Sequence, residues 1–311
     1  MTEATSAMPG LPRDAGRREG ISWTSILQVI VLAALVLVVY WPSLDYMVHK
    51  WRSDGDWSHG WLVPLFSLYF LGTRREQLRD LPKRMNLLGL VLMVASLAAY
   101  YLAAFKQFSY PQRLTLVPFL IGLVWFMCGW RIIRVAWFPI AYLVLAIPLP
   151  EWIYFELTYP LRRIASVVAG TLLNLLPDVY TEVSGVVVEY EHLGTASALN
   201  IEEACSGMRL MMAFIALGVA VAYLGDRKLW HRVVLVLACV PIAVFCNMIR
   251  VFVTGVIHVY GYRDLSQGTA HELLGLAMLP IALGLFALVG WVLNHLFVES
   301  PDGENEAERG A

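Results

Sequence analysis

Apolar runs of bilayer length recur along this chain from Ser25 to Phe297, and no other feature restricts its fold as strongly. About 20 consecutive apolar residues suffice to cross the ~30 Å hydrocarbon core as a helix. Runs of that kind read as Ser25 to Leu44, Leu87 to Phe105, Leu114 to Trp130, Val135 to Leu149, Ser206 to Leu224, Val233 to about Phe252, and Leu273 to Phe297. A shorter one ends at Leu71. The composition agrees: 59% of the 311 residues are hydrophobic and 15% charged, against roughly half and a quarter in soluble domains. The expected class is an all-α polytopic membrane protein with eight transmembrane helices.

The segments between the runs add detail. Residues 1–22 are polar and read as a flexible cytoplasmic tail, 23–298 as a single transmembrane domain, and 299–311 as an acidic cytoplasmic tail. No cleavage site follows the first run, so it is expected to stay as a span. After Pro148 and Pro150, residues 152–176 are apolar but carry Glu156, Pro160, Arg162 and Arg163. They read as an interfacial or re-entrant helix. Residues 177–203 are polar, and Val186 to Tyr190 with Gly194 and Ala198 to Ile201 suggest a short extracytoplasmic hairpin. Lys and Arg gather in the N-terminal tail, the 73–86 loop, Arg131 with Arg134, and Arg227 to Arg232. With eight spans all four fall on one side, which the positive-inside rule makes cytoplasmic.

Three chemically capable residues then meet on the opposite face. Cys205 starts the sixth span, and His271 immediately precedes the eighth. Arg250, counted from Val233 at 1.5 Å per residue, lies ~26 Å along the seventh. A thiolate attacks, an imidazole moves protons, and a guanidinium stabilises negative charge. Each has a plainer reading: Cys at a helix contact, Arg reaching for headgroups, and His as an interfacial residue. His59 and His258 lie toward the same side and compete with His271. Asn247, three residues before Arg250, shares its helix face. A helix N-terminus favours the Cys205 thiolate, whereas Glu202 and Glu203 oppose it unless they face away or hold Arg250. Cys128, Cys239 and Cys246 lie inside apolar runs and form no metal pattern. A thiol-redox enzyme would need paired outer cysteines, and no basic stripe is present to track nucleic acid.

These residues stand in segments that resemble the exosortase/archaeosortase family of membrane cysteine transpeptidases. Glu203-Ala204-Cys205-Ser206-Gly207-Met208-Arg209 matches its A-C-S-G-hydrophobic-R segment, and Asn247-Met248-Ile249-Arg250 its N-x-x-R. His271 to Gly275 fits H-x-x-x-G, and Ser58-His59-Gly60 the N-terminal S-H-G segment. Leu276 stands where an aromatic often follows the final Gly. The resemblance implies cleavage of C-terminal sorting signals (a Pro-Glu-Pro-type motif, an apolar helix, a basic cluster) on membrane-anchored substrate proteins. Cys205 would be the nucleophile, His271 the general acid/base, and Arg250 the stabiliser of the oxyanion. Glu203, Ser206, Arg209, Asn247 and His59 are supporting positions. The acyl group would pass to a surface acceptor such as exopolysaccharide or lipid. The scheme needs no metal or organic cofactor, and its setting is the bacterial inner membrane with the site extracytoplasmic. The competing expectation is a non-enzymatic component of exopolysaccharide export, binding an anionic glycan through Arg250 and the histidines.

Overall fold

The computed structural model describes residues 23–200, 207–225, 228–261 and 269–296. Helix α1 runs from Trp23 to Ser53, continuing through Pro42. Its part up to Leu44 is one compact unit, and the chain from Asp45 onward is another. In the second unit a 3-10 turn, Gly55–Trp61, leads into α2 (Leu62–Thr73) and the short α3 (Arg75–Asp80). Then come α4 (Leu87–Phe105), α5 (Ser109–Leu114), α6 (Leu116–Cys128) and α7 (Trp130–Tyr142). A second 3-10 turn, Leu143–Ala146, and Pro150 precede α8 (Glu151–Leu173). Three strands follow, then α9 (Gly207–Leu224), α10 (Leu229–Val259) and α11 (Thr269–Leu296).

The chain is an all-α polytopic membrane protein apart from that small sheet. By length and composition five helical stretches among the described residues can cross a bilayer: Val29–Ser53, Leu87–Phe105, Ser109–Cys128, Leu229–Val259 and Leu273–His295. A sixth arises if Trp130–Ala146 and Glu151–Leu173, bent by 82° at their junction, are one broken span. Eight were expected. The difference lies in α2 and α7, whose 12 and 13 residues fall short of the ~20 that a perpendicular span needs, and in α9, whose apolar stretch is Met211–Leu224.

Where helices meet in lipid, small residues and shared polar groups hold them, since lipid tails are as apolar as leucine. Gly89 of α4 and Gly122 of α6 illustrate the first: a Cβ at Gly89 would collide with the Phe126 backbone. Ser67 Oγ donates to Pro139 O at 2.7 Å, and Tyr142 Oη to Ala216 O at 3.0 Å. The Pro139 carbonyl belongs to the last turn of α7, where intrahelical donors have run out.

The expected hairpin is present, with one strand more. Strands β1 (Val179–Ser184), β2 (Val187–His192) and β3 (Thr195–Asn200) form an antiparallel meander in that order. Both turns contain a left-handed glycine, Gly185 (φ +64°) and Gly194 (φ +75°), a conformation that costs a residue without Cβ nothing. Val179, Val188, Tyr190 and Leu199 bury themselves with Ala165, Ala169 and Leu173 of α8 and Val251 and Val259 of α10. The sheet is therefore seated on the late part of α10. That part carries Arg250.

Candidate active site

Helix α10 supplies the centre of the site. Arg250 is 1% exposed and is the largest fully buried side chain among the described residues. A guanidinium so placed costs several kcal/mol unless its surroundings compensate it. Asn247, one turn earlier, is 8% exposed. Both lie on a buried face that also bears Cys246, Val251 and Thr254.

The neighbouring helices can be aligned against α10 in layers. At Gly218 of α9 a side chain would strike Cys239 Sγ of α10 and lie 3.5 Å from the Phe286 ring of α11. One layer on, Met211 and Phe214 share a buried cluster with Ala243, Cys246, Met278 and Ala282. Numbers fall along α9 and α11 as they rise along α10, so α10 runs antiparallel to both. In the next layer a Cβ at Gly275 would lie 3.4 Å from Arg250 Cζ, 3.5 Å from Nη2 and 3.6 Å from Nη1. The final glycine of the H-x-x-x-G segment thus leaves the room that the guanidinium occupies. Counted from the Gly218–Cys239 contact, eleven residues along each of these antiparallel helices lead to Gly207 on α9 and to Arg250 on α10.

The structure places the expected residues unequally. Arg250 and Asn247 are buried three residues apart on one helix face. His271 is helical, one turn before Gly275 on α11, so its backbone lies on the Gly275 face; its side chain is outside the described residues. Arg209 is in the first turn of α9, its side chain likewise outside them. Glu203, Cys205 and Ser206 lie outside the described residues, between β3 and α9.

His59 does something different. It is 5% exposed, with Nδ1 3.2 Å from Asp56 O and Nε2 3.2 Å from Leu145 O. Both partners are acceptors, so the neutral ring donates to one carbonyl at a time. Nearby Trp51 Nε1 donates to Ala146 O at 2.8 Å, and a Cβ at Gly60 would run into the Trp51 indole. Tyr154 Oη of α8 donates to Asp56 Oδ2. The S-H-G segment therefore ties the turn after α1 to the turn after α7 and to α8.

Burial pushes the His59 pKa below its usual value, while the two carbonyls and Asp56 pull weakly the other way. A depressed histidine pKa means that the unfolded chain takes up the proton first. Its contribution to stability is full above the unfolded value and is lost as pH falls. Thermal unfolding from pH 7 to 5 should show a steeper loss for the wild type than for His59→Gln. Equal slopes would mean that another group governs the acid sensitivity.

A second buried contact went unread in the sequence. Tyr190 Oη of β2 lies 2.8 Å from His258 Nδ1 of α10. The two rings meet edge to face at 5.6 Å, and this fixes the sheet over the end of α10 two turns beyond Arg250. Period-2 reading puts Tyr190 on the same sheet face as Val188, which was the available signal.

The family model for transmembrane exosortases matches residues 51–288, more than half of the chain. The chain belongs to the transmembrane exosortase family. No curated protein and no solved structure matches it. The exosortase match opens at Trp51, the indole that packs on Gly60, and extends beyond Gly275, so it spans every segment of the site. The Gly275 contact gives a graded expectation for stability. Gly275→Ala adds a methyl group at ordinary contact distance from Arg250 and should leave the Tm near that of the wild type. Gly275→Val drives a branch into the guanidinium and should cost about 1–3 kcal/mol of stability. Equal Tm values for the two variants in thermal unfolding would mean that the guanidinium moves aside.

Proposed function

We propose that this exosortase is a membrane cysteine transpeptidase that cleaves C-terminal sorting signals on the extracytoplasmic side. The observation that carries the reading is the Arg250 guanidinium, buried in the bundle and packed on Gly275, one turn from His271. A preorganised cation in a water-excluded site stabilises negative charge that develops during a reaction. By residue count Arg250 is opposite the start of α9, and Cys205 is two residues before that start in sequence.

In the proposed reaction the Cys205 thiolate attacks the scissile carbonyl of a membrane-anchored substrate. Arg250, with Asn247, stabilises the oxyanion. His271 protonates the leaving amine, and the substrate's apolar helix departs. The thioester then passes its acyl group to an acceptor nucleophile, with His271 removing that nucleophile's proton. Glu203 is the candidate to balance the Arg250 charge.

The orientation rests on charge. Arg74, Arg134 and Arg232 line one cavity, so three of the four basic segments gather at one end. Arg250 is ~27 Å further along α10 than Arg232. The positive-inside rule puts the basic end in the cytoplasm and the site opposite.

The test is mass spectrometry of a secreted reporter carrying a Pro-Glu-Pro-type signal, co-expressed with the enzyme. A new C-terminus near the motif is expected with the enzyme and absent without it. An unchanged reporter across several motif variants would remove the proposal. Labelling of single cysteines placed at residues 110 and 190 should read outside, and at 80 and 229 inside. Residue 190 reading inside would invert the orientation.

A further inference from the structure

The basic end of the bundle holds a cavity of about 580 Å³, bounded by α7, α9 and α10 and by the turn between α2 and α3. Its lining divides in two. Among the described residues Arg74, Gln77, Arg134 and Arg232 supply the polar side chains of the lining, three of them cationic. The remaining wall is apolar, including Phe138, Tyr223 and Leu237.

The aromatic pair is fixed before any ligand arrives. Phe138 and Tyr223 stack with centroids 3.9 Å apart and planes within 9°. The Arg74 guanidinium lies 5.7 Å from the Tyr223 ring centroid, which holds that arginine over the apolar wall. The three arginines come from separate segments, so the tertiary fold brings them together. Guanidinium groups present the planar fork that suits phosphate oxygens.

We infer that this cavity binds an anionic phospholipid from the surrounding leaflet. The phosphate lies against Arg74, Arg134 and Arg232, and an acyl chain runs along the Phe138, Tyr223 and Leu237 wall. A soluble phosphate would satisfy the arginines alone. An uncharged lipid would satisfy the wall alone. Only a lipid with a net negative headgroup uses both parts, and the leaflet at the positive-inside end is the one rich in such lipids. The cavity is far from Arg250 along α10, so lipid here anchors the packing of α7, α9 and α10 and takes no part in peptide cleavage.

The test uses the full chain in phosphatidylcholine nanodiscs, titrated with phosphatidylglycerol and, separately, with glycerol phosphate. Native mass spectrometry and thermal unfolding are the readouts. Retained phosphatidylglycerol and a raised Tm are expected, with no effect of glycerol phosphate. Arg134→Gln with Arg232→Gln should weaken retention roughly fivefold per arginine removed. Leu237→Trp, which keeps every charge and fills the wall, should weaken it as well, and serves if the double variant does not fold. Equal retention by wild type and Leu237→Trp would overturn the inference. So would a Tm shift by glycerol phosphate equal to that by the lipid, which marks a free-phosphate site.

Discussion

Cys205→Ala and Cys205→Ser should each reduce processing roughly a thousandfold or more while leaving the protein inserted, as removal of a covalent nucleophile does. The reason is ionisation. A thiol is a few per cent thiolate near neutral pH even when unperturbed, whereas a serine hydroxyl needs a strong base. The other three cysteines provide the control. Cys239 and Cys246 are buried and Cys128 half-buried, and each sits in an apolar helix where losing one sulfur costs about 1 kcal/mol of packing. Alanine at those positions should leave processing intact. The acyl-enzyme predicts a substrate–enzyme thioester, cleaved by hydroxylamine and enriched when His271 is replaced. Normal processing by Cys205→Ala would transfer the site to the competing reading, a non-enzymatic component of exopolysaccharide export.

Arg250→Lys should be nearly as damaging as Arg250→Ala, both losing roughly a hundredfold in turnover, the scale of one lost oxyanion donor. Lysine keeps the charge, yet it is a point cation without the planar, multi-donor fork that can serve a carbonyl and a carboxylate together. The packing sharpens the contrast. The guanidinium lies flat enough on α11 for a Cβ at Gly275 to sit within 3.4–3.6 Å of Cζ and both Nη atoms. An ammonium in that slot leaves part of it unfilled and its remaining donors unmet, which is costly at 1% exposure. Steady-state assays of the two variants, with membrane levels matched by blotting, decide the point. Restoration of most activity by lysine would show that Arg250 acts through its field alone.

Much of this was legible in the sequence because a bilayer enforces a simple rule. The run read as Leu87 to Phe105 is helix α4 over the same residues, and the Ser206 to Leu224 run contains α9. The interruption by Glu156, Pro160 and the arginines marked 152–176 as distinct, and α8 does turn by 82° from what precedes it. Helix ends were less legible. Helix α1 continues to Ser53 past Asp45 and Lys50, and α10 to Val259 past Phe252, where Met47, Trp51 and Val259 are buried in apolar clusters. Strand β3, Thr-Ala-Ser-Ala-Leu-Asn, has almost no β-branched residues and forms because β2 offers it a ladder.

Apolar run length and the spacing of rare polar groups are local properties, and they sufficed for the class, the family and the residues able to do chemistry. What those residues touch depended on how the helices pair. Helix pairing put Gly275 against the Arg250 guanidinium, seated His59 between two backbone carbonyls, and drew Arg74, Arg134 and Arg232 around one cavity. The physical reason is that each of these contacts joins helices or turns distant in the chain. Their pairing follows from how antiparallel helices align layer by layer, a relation that no single segment contains.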